Sequence, residues 1–155
     1  MKIQSKYYGS IDIDVDKQVY FFERGIPAFE HLKSWVLCES KQEPFFILQS
    51  LDDTESAFFL MNPWLCRSDY EVKLDDADLK DLGDSHIEME HLLIFAILAI
   101  PLGKPQEMRI NLQAPLVFDQ KTRKASQVVL NDTRWQVQHT VAKELEREGK
   151  GRVIC

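Results

Sequence analysis

Cysteine is scarce in this 155-residue chain: Cys38, Cys66 and Cys155 are an odd number, and no CxxC pair occurs. A disulfide framework and a thiolate zinc site are therefore not suggested, which is compatible with a reducing compartment. Cys66 stands beside Arg67 but has no base near it in sequence, so it reads as a buried thiol rather than a nucleophile. The six glycines (9, 25, 83, 103, 149 and 151) are scattered, which excludes a phosphate-cradling P-loop and a GxGxxG turn. There is no GxSxG and no HExxH. HIEMEH sets His86 and His91 five residues apart, on opposite faces of a strand and about 140° apart on a helix, so they make no metal pair. Glu88 and Glu90 beside them read as surface ion-pairing groups. Long hydrophobic runs are missing too. The longest, residues 92–100, is about half of what spans a bilayer, and the opening MKIQSKYYG has no apolar core of a secretory signal. The expectation is a soluble, cytoplasmic protein with no catalytic residues, cofactor, metal or membrane segment. Positive charge is also in deficit. The net charge of −6 argues against a general nucleic-acid binder and suits solubility or a basic partner.

What is present is β-forming. Short strands are expected at residues 3–7, 11–15, 19–22, 34–38, 44–50, 57–61 and 70–74, the last alternating as a half-buried strand does. In FERGIPAFEHL, Gly25 and Pro27 mark a turn, and Phe29 and Leu32 are placed to anchor one helical turn. LDDADLKDLG signals a short helix. Asp75 is suited to the N-cap, Asp76 and Asp78 favour the first turn by charge–dipole attraction, Leu74 and Leu79 form a staple, and Gly83 stops it. Residues 92–100 (LLIFAILAI) fit a buried strand or a buried helix; strand is preferred because Pro101 and Gly103 end the run and strands surround it. Residues 111–118 (NLQAPLVF) alternate, with Leu112, Ala114, Leu116 and Phe118 on one face, and QVVL returns as the second arm of a hairpin. Pro115 donates to no ladder, which places that strand at an edge or a bulge. Val137, Val141 and Leu145 are spaced for a C-terminal helix, with fraying beyond Gly149. These signals amount to nine or ten short strands and two modest helices. The fold class expected is mainly β, a small antiparallel barrel-like or sandwich domain with one short acidic helix and a C-terminal helix. The domain division is 1–136 as the single β domain and 137–155 as a partly frayed helical extension.

Three stretches, PFFIL, AFFLM and LLIFAILAI, are apolar on both strand faces. Antiparallel sheets usually alternate because one face is wet, and two short helices are too few to cover three such strands. Either closure of the barrel with loop cover hides the second faces, or part of residues 58–61 is an exposed patch that marks an interface, for which methionine is well suited. Charge is segregated as well. Residues 69–90 hold nine acids against Lys73 and Lys80, a net of −7, whereas residues 121–152 hold eight bases against four acids, a net of +4, with Trp135 as their one aromatic. The acidic block is either a solvated face or a surface that steers a basic partner.

At four places, in order, the chain resembles the FliW family of flagellar assembly factors: FERGIPAFEHL; PFFILQS followed by AFFLMNPW; DYEVKL with the acidic helix; and NLQAPLVFDQKTRKASQVVL. The likeness spans residues 3–136. Ala28 stands where the family pattern has glycine, PLGKPQE at 101–107 departs from it, and the tail after residue 140 is longer. The resemblance implies a small β-barrel-like cytoplasmic protein, not an enzyme. Its partners would be flagellin and the RNA-binding translational repressor CsrA, with relief of repression of flagellin synthesis. It implies no direct nucleic acid and a monomer when free. The second reading is an export chaperone dedicated to one flagellar subunit, without a translational role; an enzyme with a scattered active site is third. The matched positions give the candidate partner-binding residues. Phe58 and Met61 would be apolar anchors, Asn62 and Pro63 chain-positioning residues, Tyr70 and Glu71 neighbours of which Glu71 supplies charge, and Asn111, Gln113 and Pro115 an edge face. An exposed Met61 would tolerate Met61→Glu with little change in melting temperature and a loss of partner binding.

Overall fold

The computed structural model describes residues 1–83 and 87–149. His86 and the tail beyond Gly149 lie outside the described residues. Along the chain run β1 (Lys2–Ser5), β2 (Gly9–Asp12), α1 (Val15–Gln18), β3 (Val19–Phe22), β4 (Ser34–Glu39), β5 (Phe46–Ser50), β6 (Ala57–Met61), α2 (Asp76–Asp81) and β7 (Leu92–Ala99). Then follow β8 (Arg109–Ile110), β9 (Leu116–Asp119), β10 (Lys124–Gln127), β11 (His139–Thr140) and α3 (Val141–Arg147). Single 3-10 turns lie at Pro63–Leu65, Met89–His91 and Pro105–Glu107. Neighbouring strands pair in the order β7, β6, β5, β4, β3, β10, β9, and β9 returns to β7, so seven strands close into a barrel. Only the β3–β10 contact in this ring is parallel, with Lys124 opposite Phe21. The length of β7 makes closure possible. One of its edges takes β9 at residues 92–95 and β8 at residues 98–99, and β11 then pairs with β8.

Closure resolves the choice between barrel and sandwich, and it also fills the inside. Tyr20, Phe22, Trp35, Leu48, Leu60, Phe95, Leu116 and Phe118 make the interior. Their rings meet edge to face, Tyr20 against Phe118 at 5.0 Å and Phe22 against Phe118 at 5.8 Å, an arrangement the ring quadrupoles favour. The strand period of two sends Phe58 and Leu60 of β6 inward, and Phe59 and Met61 to a second apolar layer outside the barrel wall. On β7, Leu93, Phe95 and Ile97 go in, and Leu92, Ile94, Ala96 and Leu98 go out. The chain covers this outer layer itself. Cys66, Tyr70, Leu112, Trp135, Val141 and Leu145 all pack into it, from the segment after β6 and from the C-terminal third. Each fully buried large apolar side chain contributes about 1.5–3 kcal/mol. On the other side the β1–β2 hairpin lies over β5. Lys6 N–H donates to Gln49 Oε1 at 2.8 Å, and the buried Gln49 amide donates to the carbonyls of Ser50 and Thr54. Tyr7 stacks on Phe59 with ring centroids 4.7 Å apart.

Several expected elements differ. Residues 71–75 carry no ladder, although Tyr70 is buried, Glu71 and Lys73 exposed, and Val72 and Leu74 half-buried. Alternating burial here comes from lying on the outer layer rather than from sheet pairing. Residues 111–115 are likewise outside any strand: Asn111 Oδ1 accepts from the N–H groups of Gln113 and Ala114 in an Asx turn, and only Leu116–Asp119 pairs as β9. β9 has partners on both edges, so it is not the edge strand that Pro115 suggested. The returning arm of the hairpin begins earlier, at Lys124. Phe29 and Leu32 sit in successive tight turns with an Ile26–Phe29 bridge, not in a helical turn. Val137 is exposed and precedes α3, whose buried residues are Val141 and Leu145. α1 occupies the end of what read as the second strand, because the Asp14 side chain accepts from Asp16 N–H and starts a helical turn. Among the described residues no helix is long and apolar enough to cross a membrane.

Candidate partner-binding surface

The residues singled out in the sequence fall into three environments. Met61, Pro63, Tyr70 and Pro115 are buried. Met61 is 0% exposed, so it belongs to the apolar layer between barrel and cover, and the expectation of a tolerated Met61→Glu is overturned. Pro63 opens the 3-10 turn, and its carbonyl accepts from Cys66 and Arg67. Tyr70 lies 5.5 Å from the Trp64 ring and 4.9 Å from that of Trp135, and its hydroxyl donates to the Leu112 carbonyl at 2.6 Å. Burial pushes that phenol far above its ordinary pKa. The Pro115 carbonyl accepts from Val128 N–H at 2.9 Å.

Three of the polar candidates are engaged with backbone groups, two locally and one across the fold. Asn62 is exposed and caps the 3-10 turn by accepting from Trp64 N–H at 2.9 Å. Asn111 holds its Asx turn, and the Gln113 N–H donates to the Gln136 carbonyl at 3.1 Å. Phe58 and Glu71 remain as accessible side chains of opposite character. Phe58 is half-buried in the barrel mouth, edge-on to Phe29 at 5.3 Å and 5.6 Å from Trp35. Phe58 and Phe59 also line an apolar groove of about 410 Å³ with Tyr7, Ile100 and the fully exposed Leu102. Glu71 faces a different groove, of about 420 Å³, between residues 71–78 and 129–132.

That second groove is acidic. Glu71, Asp75, Asp78 and Asp132 line it against Lys73. At one end Arg134 donates to Asp132 at 2.7 Å and approaches Glu71 at 3.6 Å and Asp69 at 3.9 Å. The Arg134 guanidinium, through its hydrogen bonds, holds the Asp132 carboxyl down at about 2. Behind it, the buried Arg67 binds Asp69 through two nitrogens and reaches Glu144 of α3 at 3.2 Å. Trp135 stands between the two guanidiniums, 4.7 Å from Arg67 and 4.8 Å from Arg134, a cation–π arrangement. Part of the base-rich C-terminal third is thus spent on the acidic block across the fold. Arg67, Arg134 and Trp135 escaped sequence reasoning because the contacts that join them, Arg67 to Glu144 and Trp135, and Arg134 to Asp69 and Glu71, are distant in the chain; the one available signal was a lone tryptophan among bases. At the other end of the groove the acids crowd. Burial, with Asp75 and Asp81 close by, raises the Asp78 carboxyl above its ordinary range. Among the described residues one group has metal-ligand types together, the exposed Glu88 and Glu90 and the half-buried His91, with ligand atoms within 4.8 Å of one another. His91 Nδ1 lies 3.6 Å from a carboxylate oxygen of the exposed Glu88.

Comparison with known proteins places this geometry. The family described as FliW protein matches residues 2–141. The flagellar assembly factor FliW of Treponema denticola is 39% identical over 151 residues, covering 97% of this chain and 99% of that protein. The factor of the same name from Thermotoga maritima is 39% identical over 141 residues, 90% of this chain and 92% of that one. A crystal structure of the flagellar assembly factor FliW superimposes with a TM-score of 0.80 at 32% identity, covering 91% of this chain and 96% of that one. The barrel, its self-made cover and the matched sequence together show that this chain belongs to the FliW family of flagellar assembly factors.

Proposed function

We propose that this protein is a non-enzymatic, cytoplasmic regulator that binds flagellin and the RNA-binding translational repressor CsrA, and so relieves repression of flagellin synthesis. The observation that supports this most is the acidic groove lined by Glu71, Asp75, Asp78 and Asp132. An RNA-binding protein presents basic surface, and complementary charge steers such a partner into place. Glu71 supplies a charge contact in this reading, and Phe58, Asn62 and Gln113 are accessible contact positions. Met61, Pro63, Tyr70, Asn111 and Pro115 hold the chain beneath them. An acidic protein docked beside an RNA site repels RNA without occupying it. The test is the affinity of purified repressor for its flagellin-message site, with and without this protein, at rising salt. The expected result is weakened RNA binding whose size shrinks as salt screens the charges. Inhibition independent of salt would rule out the electrostatic route. The second reading, a chaperone dedicated to one flagellar subunit, predicts flagellin binding with repressor–RNA affinity unchanged.

A further inference from the structure

The acidic groove has walls of unusual backbone character. On one side, Val128 N–H donates to the Pro115 carbonyl and Leu130 N–H to that of Gln113, at 2.9 and 2.8 Å. In an extended segment alternate peptide groups point to opposite edges. The intervening Val129, and Asn131 after it, therefore turn their N–H and C=O groups away from that neighbour. Among the described residues neither has a backbone hydrogen-bond partner. On the facing wall the same holds for every backbone N–H and C=O from residue 71 to residue 74. That wall is nonetheless fixed at both ends, by the Tyr70 hydroxyl on Leu112 and by the Asp75–Asp78 capping box. Exposed sheet edges are normally blunted by lysine, proline or a bulge. Residues 128–131 continue past the end of β10 as an extended segment outside the sheet, and they carry none of these guards: Val129 is 67% exposed, and the exposed Asn131 follows Leu130.

We propose that this groove receives an extended, arginine- or lysine-rich peptide segment of a partner protein, added as a strand along the open edge at Val129 and Asn131. Three features fit that occupant. Strand addition satisfies the idle backbone groups of both walls at once. The half-buried Leu74 and the exposed Val129 take the aliphatic stems of long basic side chains. The carboxylates take their tips, and charge complementarity is strongest at the Asp75–Asp78 end, away from Arg134 and with Arg24 engaged by the neighbouring Asp81 at 3.1 Å. Burial and the neighbouring acids raise the Asp78 carboxyl above its ordinary range, and an incoming cation beside it works in the opposite direction. That the segment belongs to the repressor rests on the functional reading above; the chemistry of the groove does not.

The probe is a fluorescent ten-residue peptide of alternating arginine and valine, its binding followed by anisotropy and by amide hydrogen exchange. The intact chain is expected to bind it and to slow exchange at Val72, Lys73, Leu74, Val129 and Asn131. Methylating alternate peptide nitrogens, in either register, is expected to weaken binding by about tenfold or more through lost backbone bonds. Glu71→Lys is expected to weaken it by about threefold or more, whereas Asp16→Lys, which touches no part of the groove, leaves it unchanged. An alternating glutamate–valine peptide is expected not to bind. Absent binding, unchanged affinity of the methylated peptides, equal loss with Asp16→Lys, or protection at other amides would each overturn the proposal. Purified repressor in parallel separates the two claims. A repressor that fails to bind while the peptide binds removes the functional reading and leaves the groove standing. A repressor that binds without displacing the peptide overturns the groove's assignment to it.

Discussion

Tyr70 ties together parts of the cover that are far apart in sequence, with its ring near Trp64 and Trp135 and its hydroxyl on the Leu112 carbonyl. Removing that hydroxyl leaves a buried acceptor unsatisfied. Tyr70→Phe is therefore expected to lower unfolding stability by about 1–3 kcal/mol, read as a shift of the urea midpoint at neutral pH. The same burial sets an alkaline limit. Burial raises Tyr70 and Tyr20 above the ordinary phenol value and Cys38 from 9.0 to about 11. All three groups are neutral when protonated, and the folded state holds the proton more tightly than the unfolded chain does. Their contribution is thus complete below the unfolded pKa values and is lost as pH rises through the folded ones. The urea midpoint should hold level up to about pH 8 and fall above about pH 9, and Cys38→Ala should flatten the first part of that fall. A midpoint that rises between pH 9 and 11 would reverse the sign of the argument. Met61 makes the opposite case to an exposed contact residue. A carboxylate at a fully enclosed apolar position is costly, so Met61→Glu should destabilise the fold by about 4 kcal/mol or more, and an unchanged melting curve would show that this layer opens readily. Sequence periodicity identified which way Met61 points, but not what lies on it, because the covering residues come from 66–70, 108–112 and 135–145.

At the scale of elements, local chemistry was legible and long-range pairing was not. α2 sits where its caps put it: Asp75 Oδ1 accepts from Asp78 N–H at 2.8 Å, and Asp78 Oδ2 accepts from Asp75 N–H at 2.9 Å. β3 and β6 have the bounds their apolar runs suggested. Residues 70–74 misled because a segment lying on a buried layer alternates as a strand does, with or without a ladder. β8 and β11 are two residues each and leave no periodic signal. The turn after β3 is a third kind of case. Gly25 has φ +69°, and a Cβ there would come within 2.5 Å of the Glu30 backbone. Ala28, where the family pattern has glycine, has φ +74°. A left-handed conformation costs a non-glycine residue about 1–2 kcal/mol, partly offset by the greater freedom glycine gives the unfolded chain. Ala28→Gly is accordingly expected to stabilise the protein by about 0.5–1 kcal/mol, while Gly25→Ala destabilises it by more than that, since backbone must move. Thermal unfolding of the two variants side by side checks both, and a loss of stability in Ala28→Gly would show that the strain is relieved elsewhere.

The whole molecule is a closed barrel wrapped in its own chain, and that arrangement decides how far the tail matters. Two-sided apolar strands can be inferred from sequence, but closure depends on β7 meeting β9 and on β3 meeting β10 in parallel, contacts that no local pattern encodes. The same is true of the cover, since α3 is tied down by residues distant in the chain, beginning with Val141 N–H, which donates to the Met108 carbonyl at 3.1 Å. Val141 and Leu145 are buried in the outer layer, Glu144 reaches the buried Arg67 at 3.2 Å, and Glu148 accepts from the Ser68 hydroxyl at 2.7 Å. β11 adds a short ladder to β8. A chain ending at residue 136 would lose two large apolar side chains, worth about 3–6 kcal/mol together, and would uncover part of the surface around Met108. Small domains are stable by about 5–15 kcal/mol in all, so this loss uses up a large share of the margin. A fragment of residues 1–136 is therefore expected to keep its β-sheet signal at low temperature, to unfold at a markedly lower urea concentration, and to bind a hydrophobic dye that the longer chain excludes. A fragment with an undiminished urea midpoint and no dye binding would make residues 137–149 a true appendage. The outer layer would then have to be held by the segment after β6 and by Trp135 alone.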